Sequence, residues 1–413
     1  MKNTDFIDLE NNYSLCRNNE HSLVFNKGEG AWLWDVESVK FFDMTTLFNY
    51  AVFGHSPERL VNILVDQAKN LSINTSFLYT DRLGPFLKKL SSMSFDSKCA
   101  AFSSTTQAYH ELVRYSLQWA SNVKNLKGHE AQIAYISSHH AQNSWHEEMA
   151  TQILCHQKSF TFEELEELDK IGGKLSLIIV DPIDLTNDNL LVDAGLLDSL
   201  RQLSKKHQSL LVLDESFCPP GAFGKNFVFE FFDKKLFDGV LLGEYLGAGL
   251  IPVCALCLDQ SIYEDAGPMI SLISSIYPVG AAIGLESLCV IEEMYLADKS
   301  FEKGQILKEF FTKKSEIKSV NSAGLILKLE LDPEVDFAEI STKLEENSLF
   351  VHSVGSGQLL IAPAITLTNT DMDWLMTQFN KVFTDKPIEE TSPTVETADD
   401  VSTSEGNLEE SDT

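Results

Sequence analysis

The stretch Phe237–Cys257 reads FDGVLLGEYLGAGLIPVCALC. A short apolar run, Val240-Leu241-Leu242, is bounded by Gly239 and Gly243. A glycine-broken turn carrying Gly247 and Gly249, then Pro252, leads into a second apolar run from Val253 to Leu258. Runs this short and apolar between breakers predict two buried strands joined by a tight connector. One charged residue, Glu244, stands at the end of the first strand, in the small-residue turn where a large α/β sheet opens its site. It is a candidate general acid or base with a pKa raised by burial. The plainer alternative is a carboxylate that pairs with a cation or faces water.

Upstream, strands and helices alternate. Cys99–Ser103, Gln132–Ile136, Leu175–Val180 and Leu210–Leu213 read as strands. Thr106–Ala120, Phe162–Asp169 and Leu196–His207 read as helices. Strands separated by helices imply a mainly parallel sheet covered on both faces, with the site at the carboxyl ends of its strands. Before this, Leu23–Asp43 alternates like a small antiparallel meander, and Ser56–Leu71 has helical spacing. After it come a long helix over Val279–Ala297, a helix over Phe301–Phe311, strands near Ile326–Leu331, a helix over Phe337–Glu346, short strands at Phe350–Val354 and Leu359–Ala362, and a helix over Met372–Phe383. The expected division is a large domain over 51–297, a small α+β domain over 298–385 joined by the N-terminal segment 1–50, and a tail over 386–413.

The tail has one lysine against nine acidic residues and almost no large apolar side chain. It cannot bury enough surface to offset its chain entropy and reads as disordered. The whole chain, 413 residues with 44% hydrophobic content, can fill a substantial core. A net charge of −29 disfavours nucleic acid and anionic membrane. No apolar run approaches the ~20 residues of a membrane span, and the N-terminus shows no signal-peptide pattern. Seven scattered cysteines, mostly in apolar runs, suit reduced thiols in a cytoplasmic setting.

Four segments carry a further resemblance: Leu177–Ile183, a strand ending in Asp181-Pro182; Leu211–Glu215, ending in Asp214-Glu215; Phe237–Gly243; and the Gly249–Val253 turn. Together with GEGAWLWDVESVKFFD near the N-terminus and Pro278–Ala282 before a long helix, they make the chain resemble class III aminotransferases, ornithine and acetylornithine aminotransferases above all. The collinear register runs from about Leu23 to Val382. The resemblance implies the fold-type I pyridoxal-phosphate (PLP) transferase-like architecture, an α/β fold with a mainly parallel large domain and a smaller α+β domain. It also implies a homodimer with sites at the subunit boundary and transfer of amino groups between an amine and an oxo-acid.

In that register the Schiff-base lysine falls on Glu244, and a carboxylate forms no imine. Asp214 matches the carboxylate that holds the pyridinium proton. Trp145 matches the stacking aromatic, with Glu147 two residues on where a glycine is expected. Ser104 and Thr105 fall in the phosphate turn, Thr105 standing where a glycine lets the backbone approach. The partner-subunit phosphate threonine aligns with Ile273 and the substrate-carboxylate arginine with Leu360. The expectation is a catalytically degenerate relative with a scaffold, regulatory or partner-binding role, a homodimer or a heterodimer with an active paralogue. One alternative retains PLP or pyridoxamine phosphate non-covalently, with altered chemistry on an amino acid or amine. Another is a secreted effector directed by its acidic C-terminus. Two metal readings are weaker on their spacing: Cys254 with Cys257, and His139, His140 and His146 with Glu147 and Glu148. Asn74-Thr75-Ser76 is a glycosylation acceptor only in a secreted chain.

Overall fold

The computed structural model describes residues 1–15, 22–46, 50–74, 78–95, 97–138, 156–269, 276–353 and 357–386. Trp145, Ile273, the cluster from His139 to Glu148, Thr75, Ser76 and the tail beyond Lys386 lie outside them.

Fifteen strands are present among the described residues: β1 Phe25–Glu29, β2 Trp32–Asp35, β3 Lys40–Asp43, β4 Lys98–Phe102, β5 Gln132–Ser137, β6 His156–Thr161, β7 Leu175–Val180, β8 Leu210–Glu215, β9 Gly239–Leu242, β10 Cys254–Leu258, β11 Ile317–Ala323, β12 Ile326–Leu331, β13 Leu349–Phe350, β14 His352–Ser353 and β15 Gln358–Ile361. Seven form the central sheet, in the order β4-β10-β9-β8-β7-β5-β6. Strands β5 to β9 run parallel, and β10 runs antiparallel to both β9 and β4. The sequence dictates this burial by simple alternation. Leu211 and Leu213 of β8, with Val240 and Leu242 of β9, enter one core; Leu210, Val212 and Leu241 enter the core on the other face. A strand apolar at every position is stable only when both faces are covered. Helices Leu83–Met93, Ala194–His207 and Pro278–Glu293 cover the first face, and Thr105–Lys124 with Gln260–Ala266 the second.

The expected meander is the antiparallel β1-β2-β3, and β13 from the far end of the chain joins it parallel to β3. A third sheet, β11-β12-β15-β14, is antiparallel throughout.

Several elements differ from expectation. The helix expected over Val279–Ala297 ends at Glu293, where Tyr295 adopts a left-handed φ of 53°, and a second helix, Leu296–Thr312, starts at once. Nothing in MYLADK breaks a helix by composition, and the turn is set by tertiary packing of Leu296 and Leu307 into the core. The helix expected from Phe162 is confined to Leu165–Asp169, because the chain before it is held in β6, paired residue by residue with β5 up to Thr161. Strand β11 was not expected at all: KSVNSA is polar and shows little apolar alternation.

Candidate functional site

The connector after β9 is built by close approach. A Cβ on Gly243 would sit 2.0 Å from the Ser216 carbonyl oxygen, so only glycine lets the end of β9 press against the chain leaving β8. The half-buried Glu244 follows at once. Its carbonyl oxygen accepts from Gly247 N at 3.1 Å and Val253 N at 3.3 Å, which closes the connector into a tight loop. Tyr245, buried, donates its hydroxyl to the Glu215 carbonyl and ties that loop to β8.

The Glu244 side chain crosses to another element. Its Oε1 accepts the backbone N–H of Thr105 at 2.8 Å. Thr105 is the first residue of the 20-residue helix Thr105–Lys124, and the hydroxyl oxygen of the N-cap Ser104 accepts the N–H of Gln107 at 3.1 Å. Free N–H groups and the positive end of the dipole make a helix N-terminus an anion site. Here the chain's own carboxylate holds it. Among the described residues Glu244 makes no salt bridge; half-buried, it serves as a remote helix cap. Its charge reaches its neighbours, since the phenol of Tyr50 is raised by burial and then by Glu244, and the thiol of Cys254 likewise.

A second group of acids lies at the ends of β7 and β8. Asp214, buried, accepts from Ser216 N at 2.9 Å through Oδ1, and Tyr135 donates its hydroxyl to Oδ2 at 3.4 Å. Glu215, fully buried, takes the N–H groups of Val228 and Phe229 at 2.9 and 2.6 Å, one on each oxygen. Burial pushes Glu215 up to about 8 against the lowering pull of those two donors. Burial pushes Asp181 up to about 7, with the charges of Asp214 and Asp184 adding to it. Glu215 therefore has a structural task, pinning the chain after β8.

Leu360 stands apart, half-buried on β15. It lines an apolar cavity of about 260 Å³ with Ile183, Leu185, Phe217, Phe223 and His352. Phe217 connects this cavity to the acid group, three residues beyond Asp214 in the chain. A residue that sequence reasoning passed over, Lys328, lies directly across the sheet from Leu360 and is 9% exposed. In ILKLEL it reads as an outward-facing strand lysine, and only the loop packed over that face buries it. A separate cavity of about 340 Å³, against the edge strand β4 and lined by Lys98, Cys99, Tyr115 and Tyr263, is not part of this arrangement.

Cys254 and Cys257 do not converge on an ion: three residues apart on β10, they enter the cores on opposite faces of the sheet. Among the described residues no group of ligating side chains forms a metal site, and no helix is long and apolar enough to cross a membrane.

Glu244 and the Thr105 N–H do not fit covalent attachment of a phosphate-bearing aldehyde. The side chain at the end of β9 is a carboxylate, which forms no imine. The N–H that a phosphate would use at this helix N-terminus is already bonded to it.

Comparison with known proteins bears on the whole chain. It is 25% identical over 397 residues to ornithine aminotransferase 1 of Staphylococcus aureus (strain MRSA252), covering 91% of this chain and 98% of that protein. The crystal structure of the ornithine aminotransferase from Toxoplasma gondii ME49 superposes with a TM-score of 0.80 at 20% identity, covering 92% of this chain and 95% of that one. The acetylornithine aminotransferase from Elizabethkingia anophelis gives 0.77 at 21% identity, with 92% and 99% covered. The family described as Aminotransferase class-III matches residues 15–151 and 131–383. The mixed, mostly parallel sheet and the alignment of nearly its full length agree: this chain belongs to the class III aminotransferases, with their fold-type I α/β architecture.

Proposed function

We propose that this chain keeps the class III aminotransferase fold but not transamination, and serves as a scaffold, regulatory or partner-binding protein. The family depends on PLP, which when bound supplies an electron sink for the amino acid being converted. What carries the reading is Glu244: a carboxylate at the position where the resemblance places the imine-forming lysine, turned onto the Thr105 N–H. It removes the nucleophile and fills a phosphate donor with negative charge in one step. Leu360, at the position where the resemblance places the substrate arginine, supports the same reading, since its cavity is walled mostly by apolar side chains.

A homodimer, or a heterodimer with an active paralogue, is the assembly we propose, through the surface that the family fold supplies. A second reading keeps PLP or pyridoxamine phosphate without a covalent bond. It is favoured by Asp214, which is buried at the end of β8 where it could hold a pyridinium proton.

The test is an amino-transfer assay of the full chain with PLP against a panel of amino acids, diamines and oxo-acids. No turnover above the protein-free rate is expected, and enzyme-dependent turnover of any pair overturns the proposal.

A further inference from the structure

Cys99 of β4 and Cys257 of β10 are direct partners across an antiparallel ladder. Residues facing each other across such a ladder have Cα atoms about 4.5 or about 5.5 Å apart, inside the span of about 4.4 to 6.8 Å that a disulfide bridges. Both side chains turn to the same face of the sheet: Cys257 is buried in its core, and the half-buried Cys99 packs against that core. Both are thiols in this structure. Strand β4 is the edge of the central sheet and is held on one side only, by β10.

The two sulfurs differ in their surroundings. The Ser97 hydroxyl stands 3.3 Å from the Cys99 sulfur, and Ser94 and Ser97 share a hydrogen bond of 2.7 Å. The Cys257 thiol, as a hydrogen-bond donor, has the largest influence on Cys99 and holds it below the ordinary thiol range, while burial opposes this and Ser97 adds to it. No other described cysteine is lowered. Burial raises Cys218, Cys254 and Cys289, and the bond to Cys99 raises Cys257. A more accessible, readily ionised thiol beside a buried one divides the work of oxidation: the first reacts with the oxidant and the second resolves it.

We propose that Cys99 and Cys257 form a reversible dithiol–disulfide site oxidised by hydrogen peroxide, with Cys99 the attacking thiol and Cys257 the resolving one. The Cys99 thiolate attacks one peroxide oxygen. The O–O bond breaks, the released hydroxide takes up a proton and leaves as water, and Cys99 becomes a sulfenic acid. The Cys257 sulfur then attacks the Cys99 sulfur. The S–O bond breaks, and the hydroxide leaves as water with the Cys257 proton. Two thiols and one peroxide thus give one disulfide and two waters, and a thiol reductant reverses the bond by exchange. The bond fastens the edge strand at the end of the ladder away from Thr105 and Glu244. The inference does not rest on the loss of transamination, because neither PLP nor Glu244 takes part.

The rival role for the pair is packing alone. Hydrogen peroxide treatment of the reduced full chain, blocking of the remaining thiols and non-reducing peptide mass spectrometry separate the two. A Cys99–Cys257 cross-linked peptide is expected from the folded chain, and dithiothreitol should abolish it. In Cys257→Ala the resolving thiol is gone, so peroxide should leave Cys99 as a sulfenic acid that dimedone traps. In Cys99→Ser the buried Cys257 should stay unmodified while the chain is folded. If either variant fails to fold, the cross-link in the native chain decides alone. No cross-link in the native chain, a cross-link that forms only in urea, or a folded Cys257→Ala with no dimedone adduct at Cys99 would each overturn the proposal.

Discussion

The Glu244 carboxylate accepts the backbone N–H of Thr105 at 2.8 Å across 139 residues of sequence. The contact joins the end of β9 to the start of the helix that follows β4. It also places a fixed negative charge on the helix terminus best suited to a phosphate. Under the proposed reading, one bond joins structure and chemistry: the carboxylate that stands for the imine-forming amine also caps the helix N-terminus.

Replacing Glu244 by Ala frees the Thr105 N–H. Loss of an acceptor and of a favourable charge at a helix N-terminus should cost about 1 kcal/mol, read as a lower urea midpoint. The vacated donor then accepts an external anion. Inorganic phosphate should raise the melting temperature of Glu244→Ala but not of the native chain, and an equal response in both would show that Glu244 does not guard the site.

Glu244→Lys with added PLP should not restore useful transaminase activity. The amine returns, but Thr105 still stands in the turn proposed for the phosphate and Leu360 still faces a mostly apolar cavity. Robust amino transfer by this variant would mean that the remainder of the site is competent.

The buried acids set a pH dependence whose sign can be worked out. Asp181 and Glu215 are raised to about 7 and about 8 in the folded chain, above the ordinary carboxylate values of the unfolded one. The folded state therefore holds protons that the unfolded state has released. Their stabilising contribution is complete below the unfolded pKa, about pH 4, and is lost as the pH climbs through the folded values. Urea midpoints should fall between about pH 5.5 and about pH 8.5, and Glu215→Gln should remove part of that fall. An unaltered slope in Glu215→Gln would place the titration elsewhere.

Gly243→Ala puts a Cβ 2.0 Å from the Ser216 carbonyl oxygen, both on backbone that cannot swing aside. The strain should cost about 3 kcal/mol, enough to lower the melting temperature markedly. A variant as stable as the native chain would show that the connector can relax.

The central sheet is legible in the sequence because its strands are apolar at every position and bounded by breakers, as Leu175–Val180 and Val240–Leu242 illustrate. What sequence reading missed depends on context. Strand β11 is polar because most of its side chains stay partly exposed, and the break at Tyr295 comes from packing on either side of a helix-forming stretch. At the site, the composition around Glu244 marked the position but not its partner, since a bond to a helix 139 residues away leaves no local trace. Lys328 was hidden for the same reason: alternation in ILKLEL assigns it to solvent, and the Leu185 turn folds over it only in three dimensions.

Whether this chain can carry the cofactor on a lysine separates a degenerate site from a working one. The direct measurement is incubation of the purified full chain with PLP, borohydride reduction and peptide mass spectrometry, with the visible spectrum recorded before reduction. The account predicts no aldimine band beyond that of free cofactor and no lysine modified stoichiometrically. A single lysine carrying the reduced pyridoxyl group at full occupancy, with the matching band, would contradict it.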